Sequence, residues 1–329
     1  MSIAYIVGYS SGSGTTAMAV GLATSWKNSG KKVLLIPAAD GTASDIKTFV
    51  DSVLPSNNEA ELFLGAGRDE KIELLRDWQQ SYDVIVIDGG ASTETPQNRA
   101  EIEVDIINAT HAKVLGVIGY DRSINREEVR KWSRTYGDHF TGLIVNKCHK
   151  YSTNDVDNRL LPELSLDGIS MIKVIPEKRV LIAPTVAQIV EHIQGKYFAN
   201  ADRNEDLVEH LLIGGLITEW GGNYFNRFSN QAVIVRGGRI DIQMSALNFP
   251  LNLLILTNCE TPSQYVFQRA EDLGVPLVTV SSDTHQTMSL LETLHSRVNV
   301  MHPEKINYLS GLLDEDATSH VLGQALGVL

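Results

Sequence analysis

The sequence predicts an α/β fold of two domains: a parallel sheet with helices on both faces, followed by a smaller α/β domain. The chain has 329 residues, about twice the usual ~150-residue domain. Short apolar runs alternate with helical segments along most of it, which is the pattern of parallel α/β sheets. With 43% hydrophobic and 21% charged residues, the chain has enough apolar content for ordinary cores. A disordered or collagen-like chain is therefore excluded.

The first domain is predicted over residues 1–200 from six short runs that are mostly apolar, as in strands buried on both faces of a sheet. The predicted strands are residues 3–7, 33–36, 84–87, 114–119, 143–146 and 171–176. The predicted helices are residues 17–27, 72–78, 125–136 and 184–194. This alternation of strands and helices implies a parallel sheet.

The second domain is predicted over residues 206–329, after a polar interdomain connection at residues 195–206. Its predicted strands are residues 232–235, 253–256 and 276–280, and its predicted helices are residues 241–247, 262–273 and 285–297, with a helical tail behind them. The apolar segment LLIGGLI at residues 211–217 is predicted as a helix that packs in the core, on the other domain or on a partner.

Composition limits the partners of the chain. It has 28 basic and 40 acidic residues, a net charge of −12, and 7 basic against 15 acidic residues lie from position 201 onward. Such a chain is not suited to polyanions, so we expect no nucleic-acid partner. The two cysteines, Cys148 and Cys259, are far apart, which argues against a disulfide framework and fits a cytoplasmic location. We expect no membrane partner, because no signal peptide and no apolar run near the ~20 residues of a membrane span are found.

The most informative segment is GYSSGSGTT, which joins the first strand to the first helix. A phosphate-binding loop needs glycines that turn backbone N–H groups towards the anion, a helix N-terminus, a lysine for the outer phosphates and a Ser or Thr for magnesium. The candidate nucleotide-binding residues here are Gly8, Gly12, Ser13, Gly14, Thr15 and Thr16. Thr15 occupies the lysine position, so we expect nucleotide binding weakened about 10- to 100-fold and little phosphoryl transfer. The alternative is a tight turn that binds nothing.

Polar residues at the ends of two other strands extend this candidate site. Asp88 follows the third strand and is placed to orient magnesium together with Thr16, although an Asp there is also an ordinary helix cap. Asn146 and Lys147 end another strand, where open α/β sheets carry their ligand contacts.

A second candidate site, for a small anion, follows the strand at residues 232–235. Its residues are Gly237, Gly238, Arg239, Asp241, Asp283 and Thr284. Glycines, a helix N-terminus and a guanidinium group favour anion binding. The competing interpretation, which we favour, is that Arg239 pairs with Asp241 or Asp283 and only ties loops together, while Asp283 caps the next helix.

Taken together, these segments resemble a known family. GYSSGSGTT, KKVLLIP, VIVIDGG, GLIVNK and MIKVIPEKRVLIAPTVAQIVEHI resemble the dethiobiotin-synthetase-like N-terminal region of long bacterial phosphate acetyltransferases. AVIVRGGRIDIQMSAL, LLILTNCETPS and GVPLVTVSSDTHQT resemble the DRTGG domain that follows it in those proteins. The resemblance implies a P-loop NTPase-like first domain and a DRTGG-like second domain.

The departures from the family pattern shape the expected function. Thr15 and Ile36 stand where dethiobiotin synthetase has lysines, so dethiobiotin synthesis is not expected. Gly237-Gly238-Arg239 replaces the family's Gly-Asp-Arg, and Leu256, Thr257, Asn258 and Cys259 replace its Leu-Thr-Gly-Gly. The acetyl-transferring domain would follow the DRTGG domain, and only a helical tail follows it before Leu329. We therefore expect no acetyltransferase activity.

The resulting hypothesis is a regulatory or sensor protein. It would bind ATP or another nucleotide, with magnesium, without efficient hydrolysis, form homo-oligomers, and act on a phosphate acetyltransferase or a related protein of acetyl-phosphate and acetyl-CoA metabolism. One alternative is an ATP-dependent amide- or carboxylate-activating enzyme in which Lys31, Lys32 or Lys147 replaces the loop lysine. Another is a structural interaction module with an empty loop.

Overall fold

The chain folds as two compact units. A computed structural model describes residues 1–38, 57–91, 97–215, 221–294, 298, 301–314 and 316–328. The first unit comprises Met1–Lys178 and Val300–Leu329, and the second comprises Arg179–Asn299.

The described strands and helices are numbered in chain order. The strands are β1 Ser2–Gly8, β2 Val33–Pro37, β3 Val84–Ala91, β4 Lys113–Gly119, β5 Phe140–Cys148, β6 Met171–Pro176, β7 Lys196–Ala199, β8 His210–Ile213, β9 Gln231–Arg236, β10 Leu253–Thr257 and β11 Leu277–Val280. The helices are α1 Thr15–Asn28, α2 Asn57–Gly65, α3 Arg68–Trp78, α4 Gln97–Thr110, α5 Arg126–Arg134, α6 Thr153–Asp155, α7 Leu161–Leu166, α8 Arg179–Ile182, α9 Val186–His192, α10 Gly221–Phe225, α11 Ile240–Ala246, α12 Gln264–Leu273, α13 Thr284–Glu292, α14 Pro303–Leu313 and α15 Asp316–Leu326.

The first unit is built on a six-stranded sheet in the order β2-β3-β1-β4-β5-β6. All its strand pairs are parallel, and Tyr5 of β1 lies opposite Ile87 of β3 and Val114 of β4. Because β1 lies between β3 and β4, the ends of these three strands meet at one edge of the sheet. The predicted parallel α/β sheet is confirmed.

Strand β1 is covered on both faces. Ile3, Tyr5 and Val7 belong to a core cluster with residues of α3 and α5, and the intervening Ala4 and Ile6 have no exposed surface. This explains why the strand is apolar at successive positions instead of alternating with polar residues.

The C-terminal helices α14 and α15 belong to the first unit. They were predicted as the helical tail of the DRTGG-like domain. Helix α14 packs on α1, where a β-carbon placed on Gly21 would lie 3.1 Å from side-chain atoms of Leu309 and Leu313. The α15 residues Leu322 and Leu326 are buried, with 1% and 0% of their surface exposed. The predicted continuous domain over residues 206–329 is therefore wrong at its C-terminal end. The apolar faces of α14 and α15 pack in the first unit instead.

The second unit is a five-stranded sheet in the order β7-β11-β10-β9-β8. Strands β8 to β11 pair in parallel, and β7 runs antiparallel to β11. Its core clusters combine strand residues such as Val233 and Leu254 with α11 and α12, and Ile255 with α9 and α13.

Two further predictions for this part of the chain are corrected. The interdomain connection was predicted at residues 195–206, but β7 lies there and pairs with β11, so the second unit begins at Arg179. Residues 211–217 were predicted as a helix. Residues 211–213 instead belong to edge strand β8, since their apolar side chains also suit a strand packed on β9, and residues 216–217 lie outside the described residues.

Among the residues that the structure describes, none of the helices combines the length and the apolar character of a membrane span.

Candidate functional site

The glycine loop, residues 9–14, connects β1 to α1. Gly12 and Gly14 have φ angles of +72° and +90°, in the left-handed region that glycine adopts without steric cost. Ser13 donates its hydroxyl hydrogen to the Ser10 carbonyl oxygen at 2.6 Å and accepts from the Ser10 amide at 3.1 Å. The loop therefore closes on itself in front of the helix N-terminus.

Asn146, at the end of β5, holds the loop from one side. Its buried side-chain amide donates to the Ser13 carbonyl oxygen at 2.9 Å. The backbone carbonyl oxygen of Asn146 accepts from the backbone amide of Tyr120 at 2.7 Å. A β-carbon on Gly14 would lie only 2.3 Å from the Asn146 Nδ2 atom. Gly14 is thus required both by its backbone angle and by the close approach of Asn146.

Thr16 and Asp88 are in direct contact. The Thr16 hydroxyl donates to Asp88 Oδ2 at 2.7 Å, and the Gly90 amide donates to Asp88 Oδ1 at 3.3 Å. Asp88 is 1% exposed. A hydroxyl oxygen beside a carboxylate is the kind of ligand pair that Mg²⁺ takes in phosphate sites, so the two residues fit the predicted magnesium role.

Tyr9, which sequence reasoning did not single out, fixes the opposite end of the loop. Its hydroxyl donates to Glu128 Oε2 at 2.8 Å, and its ring makes an edge contact with Trp132, with centroids 5.5 Å apart. Burial, followed by the hydrogen bond and the charge of Glu128, raises the pKa of Tyr9 to about 12. No local motif signals this contact, because Glu128 is 119 residues away in sequence.

The lysines proposed as substitutes for Thr15 do not lie together. Lys31 and Lys32 follow α1 and precede β2, and the Lys32 carbonyl accepts from the Asp83 amide just before β3. They therefore lie at the amino edge of the sheet, opposite the loop, which rules out their predicted role. Lys147 is at the correct edge, exposed, with a left-handed φ of +57°.

The second candidate site is largely occupied by its own contacts. Arg239 donates to both carboxylate oxygens of Asp241, at 3.0 and 2.9 Å, and this pair holds the pKa of Asp241 at about 2. A β-carbon on Gly237 would lie 2.6 Å from the β-carbon of Cys259. Helix α11 behind this turn has only seven residues, so its anion-binding potential is small.

The remaining residues of that second site have structural contacts. Asp283 accepts from the Gln286 amide at 2.9 Å and caps α13. The hydroxyl groups of Thr284 and Thr257 are 2.8 Å apart. Gly238 lies in an open turn. The interpretation of these residues as loop ties and caps is the one the contacts favour.

The residues that the structure describes contain no group of three or more His, Cys, Asp or Glu side chains arranged to hold a metal ion. Any magnesium at Thr16 and Asp88 would therefore take further ligands from a nucleotide or water, as Mg²⁺ commonly does.

The parallel sheet, the glycine loop after β1 and the aspartate at the end of the adjacent β3 define a P-loop NTPase-like α/β unit. Residues 188–294 match the family model described as a DRTGG domain. The chain is 24% identical over 183 residues to a phosphate acetyltransferase of Synechocystis sp., covering 53% of this chain and 26% of that protein. It is 22% identical over 291 residues to a phosphate acetyltransferase of Pseudomonas putida, covering 81% and 42%. The chain thus spans less than half the length of these relatives, and the predicted resemblance to phosphate acetyltransferases and to a DRTGG domain is confirmed.

The global similarity to solved structures is low. The MinD cell division protein of Aquifex aeolicus has a TM-score of 0.43 at 18% identity, covering 55% of this chain and 85% of that one. The CBS and DRTGG domains of the regulatory region of Clostridium perfringens pyrophosphatase, complexed with the activator diadenosine tetraphosphate, have a TM-score of 0.31 at 17% identity, covering 36% and 48%. With both scores below 0.5, the description of the fold here rests on strand order and loop geometry.

Proposed function

We propose that this protein binds a nucleotide with magnesium at the glycine loop, hydrolyses it poorly, and acts as a regulatory protein. The observation that carries the proposal is the arrangement around α1. The loop is fixed by the Asn146 amide, and the Thr16 hydroxyl lies 2.7 Å from the buried Asp88 carboxylate at the same helix end. Backbone amides, a 14-residue helix and a magnesium ligand pair together suit a phosphate chain.

Poor hydrolysis follows from Thr15. The loop lysine normally stabilises the negative charge that develops on the transferred phosphoryl group, and a threonine hydroxyl carries no charge. With Lys31 and Lys32 at the far edge, an activating enzyme of the same superfamily would have to rely on exposed Lys147. A regulatory binder needs no such group.

The proposed partner is a phosphate acetyltransferase or another protein of acetyl-phosphate and acetyl-CoA metabolism. Support comes from the similarity to phosphate acetyltransferases over 81% of the chain and from the DRTGG match. In this proposal the nucleotide state of the first unit sets the affinity for that partner.

Binding is tested by isothermal titration calorimetry and thermal unfolding with MgATP, MgADP and MgGTP. At 100 times its dissociation constant a ligand should add ~2.7 kcal/mol to the free energy of unfolding. Asp88→Asn keeps an acceptor for Thr16 but removes the negative charge. The ratio of the nucleotide affinities measured with and without Mg²⁺ should therefore fall about tenfold. Asp241→Asn, at the other glycine turn, is the matched control and should leave the affinity unchanged.

Regulation is tested by measuring binding to a purified phosphate acetyltransferase with and without MgATP. Gly14→Asp, which places a carboxylate in the loop, should abolish the nucleotide effect on this interaction. If no nucleotide binds and Gly14→Asp keeps every partner interaction, the binding proposal is wrong and the chain is a structural module.

A further inference from the structure

The second unit is inserted into the first. The chain leaves the first unit after Lys178, just beyond β6, and returns to it at Val300, just before α14. Two chain crossings therefore join the units. Each crossing adjoins an element of the first unit, β6 or α14, and the contacts of these elements lead to the glycine loop.

The first crossing is tied to the glycine loop through the end of β5. The Asn146 side chain, which is 6% exposed, donates to the Ser13 carbonyl oxygen at 2.9 Å. At the last residue of the same strand, the Cys148 carbonyl oxygen accepts from the Glu177 amide at 2.9 Å. His149 Nδ1 lies 3.2 Å from Glu177 Oε2 and adds a side-chain contact at the same place. The strand end that holds the loop therefore also holds the chain just before it enters the second unit.

The second crossing leads into α14, which packs on α1, the helix that begins at the glycine loop. A β-carbon on Gly21 of α1 would lie 3.1 Å from side-chain atoms of Leu309 and Leu313, both 1% exposed, so the two helices pack closely. The Ser25 hydroxyl donates to the Asp314 carboxylate in the same interface. Because α1 also contacts β1, β2 and β3, it is held by both the sheet and α14.

A ligand at the loop favours the conformations in which the loop is ordered. A ligand shifts a conformational equilibrium only by its differential affinity for the two states. A phosphate chain needs the backbone amides of the loop and of the first turn of α1 in one fixed arrangement, so it binds an ordered loop better than a loosened one. The elements that hold this arrangement, the ends of β5 and β6 and helix α14, should then open less often.

We propose that the two crossings carry the nucleotide state of the glycine loop to the second unit. The inference rests on the proposed nucleotide function and specifies its regulation: MgADP at the loop stabilises the end of β6 and α14, and with them the segments of the second unit that adjoin the crossings. Coupling of this kind is reciprocal. A partner that binds the second unit and stabilises the same segments should therefore raise the affinity of the loop for the nucleotide.

Hydrogen exchange of the full chain, followed by mass spectrometry with and without MgADP, tests the inference. In the wild type, saturating MgADP should slow exchange about fivefold or more in α14 and in α9, which follows the first crossing inside the second unit. Glu177→Pro removes the amide that bonds to Cys148 and should remove most of the effect on α9. Glu177→Ala keeps this amide and is the matched control.

The second crossing has its own pair of variants. Leu309→Ala leaves a gap where α14 packs on Gly21 and should remove most of the effect of MgADP on α14. Leu164→Ala, at a leucine of α7 with no exposed surface, is the matched control and should keep the wild-type response. If Glu177→Pro does not fold, Leu309→Ala alone decides.

Two outcomes overturn the inference while leaving the proposed function standing. One is slower exchange at the loop and α1 alone, with α9 and α14 unchanged. The other is a wild-type response in every folded crossing variant. If the wild type binds no nucleotide, the proposed function fails, and Asn146→Ala then decides the inference, because it releases the loop without a ligand. Faster exchange in α9 and α14 of Asn146→Ala supports the connection, and unchanged exchange overturns it.

Discussion

The two units carry similar glycine turns with different surroundings. Each turn joins an interior parallel strand, β1 or β9, to a helix, and each contains a glycine in close contact with a residue at or just after the end of another strand of the same sheet. In the first unit Gly14 lies against the Asn146 side chain, whose amide donates to the Ser13 carbonyl, ahead of a 14-residue helix. In the second unit Gly237 packs on Cys259, ahead of a seven-residue helix.

The two turns differ in how their polar groups are hydrogen-bonded. In the second turn the Gln243 amide donates to the carbonyls of Arg236 and Gly237, at 2.9 and 3.0 Å, and Arg239 is paired with Asp241. The charge that would attract an anion is neutralised within the turn. In the first turn Ser10 and Ser13 close the loop, the Asn146 amide holds it from outside, and the Thr16 hydroxyl donates to Asp88 at the helix end. The second turn therefore neutralises its own guanidinium group, whereas the first turn has a carboxylate beside a hydroxyl at its helix end.

The largest expected effect comes from a β-carbon on the glycine of each turn. Gly14→Ala introduces strain at φ +90° and displaces the Asn146 amide, and should lower the free energy of unfolding by about 2–4 kcal/mol. It should also weaken MgADP binding at least tenfold. Gly237→Ala, which collides with Cys259, should destabilise the protein without changing MgADP affinity.

Gly12→Ala is the control for the first turn. Gly12 has φ +72° but open space around its missing β-carbon, so we expect a cost of about 1 kcal/mol from the backbone alone. Chemical denaturation measures the free energy of unfolding of each variant, and calorimetry measures its affinity for MgADP. Equal effects of Gly14→Ala and Gly237→Ala on MgADP affinity would show that the turns do not differ in function.

The sequence predicts the local features of this comparison well. Both glycine turns, the strands before them and the carboxylate at Asp88 follow from short segments with clear periodicity or turn chemistry. It does not predict Tyr9 with Glu128, or α14 beside α1, because those contacts join segments more than a hundred residues apart. The apolar stripe of α14 indicates that the helix is packed but not which core receives it, and this is why the C-terminal helices were assigned to the wrong unit.

The next effect concerns the buried ammonium group of Lys305 in the first unit. Burial lowers the pKa of Lys305 from 10.5 to about 8, so between these values the unfolded chain binds a proton that the folded chain does not. Stability therefore rises with pH across that window, by on the order of 2 kcal/mol. Burial raises the pKa values of Tyr9 and Tyr82 from 10.0 to about 12, so these residues lower the stability only above about pH 10, and equally in the wild type and in Lys305→Met.

The measurement is the free energy of unfolding against pH, compared between wild type and Lys305→Met. The wild type should gain stability relative to the variant as the pH rises from 8 to 10.5. Parallel pH profiles would mean that the Lys305 ammonium is not desolvated in the folded protein.

A smaller effect is expected from the helix cap beside the second turn. Asp283 caps α13 through the Gln286 amide, so Asp283→Ala should cost about 1 kcal/mol of stability. MgADP affinity should not change, in contrast to Asp88→Asn. A loss of nucleotide binding in Asp283→Ala would place this residue in a ligand site and revise its assignment as a cap.

The smallest effect is expected from the Arg239–Asp241 pair itself. Both side chains are more than 40% exposed, and exposed ion pairs contribute little because water and salt screen them. Arg239→Ala should leave the Tm nearly unchanged, and so should the double variant with Asp241→Ala. Asp241→Ala alone is the informative variant, because it removes the carboxylate that accepts from Arg239 Nε and Nη2 at the second glycine turn. If Asp241→Ala gains affinity for inorganic phosphate in calorimetry and the double variant does not, then neutralisation by Asp241 is what separates the second turn from the first.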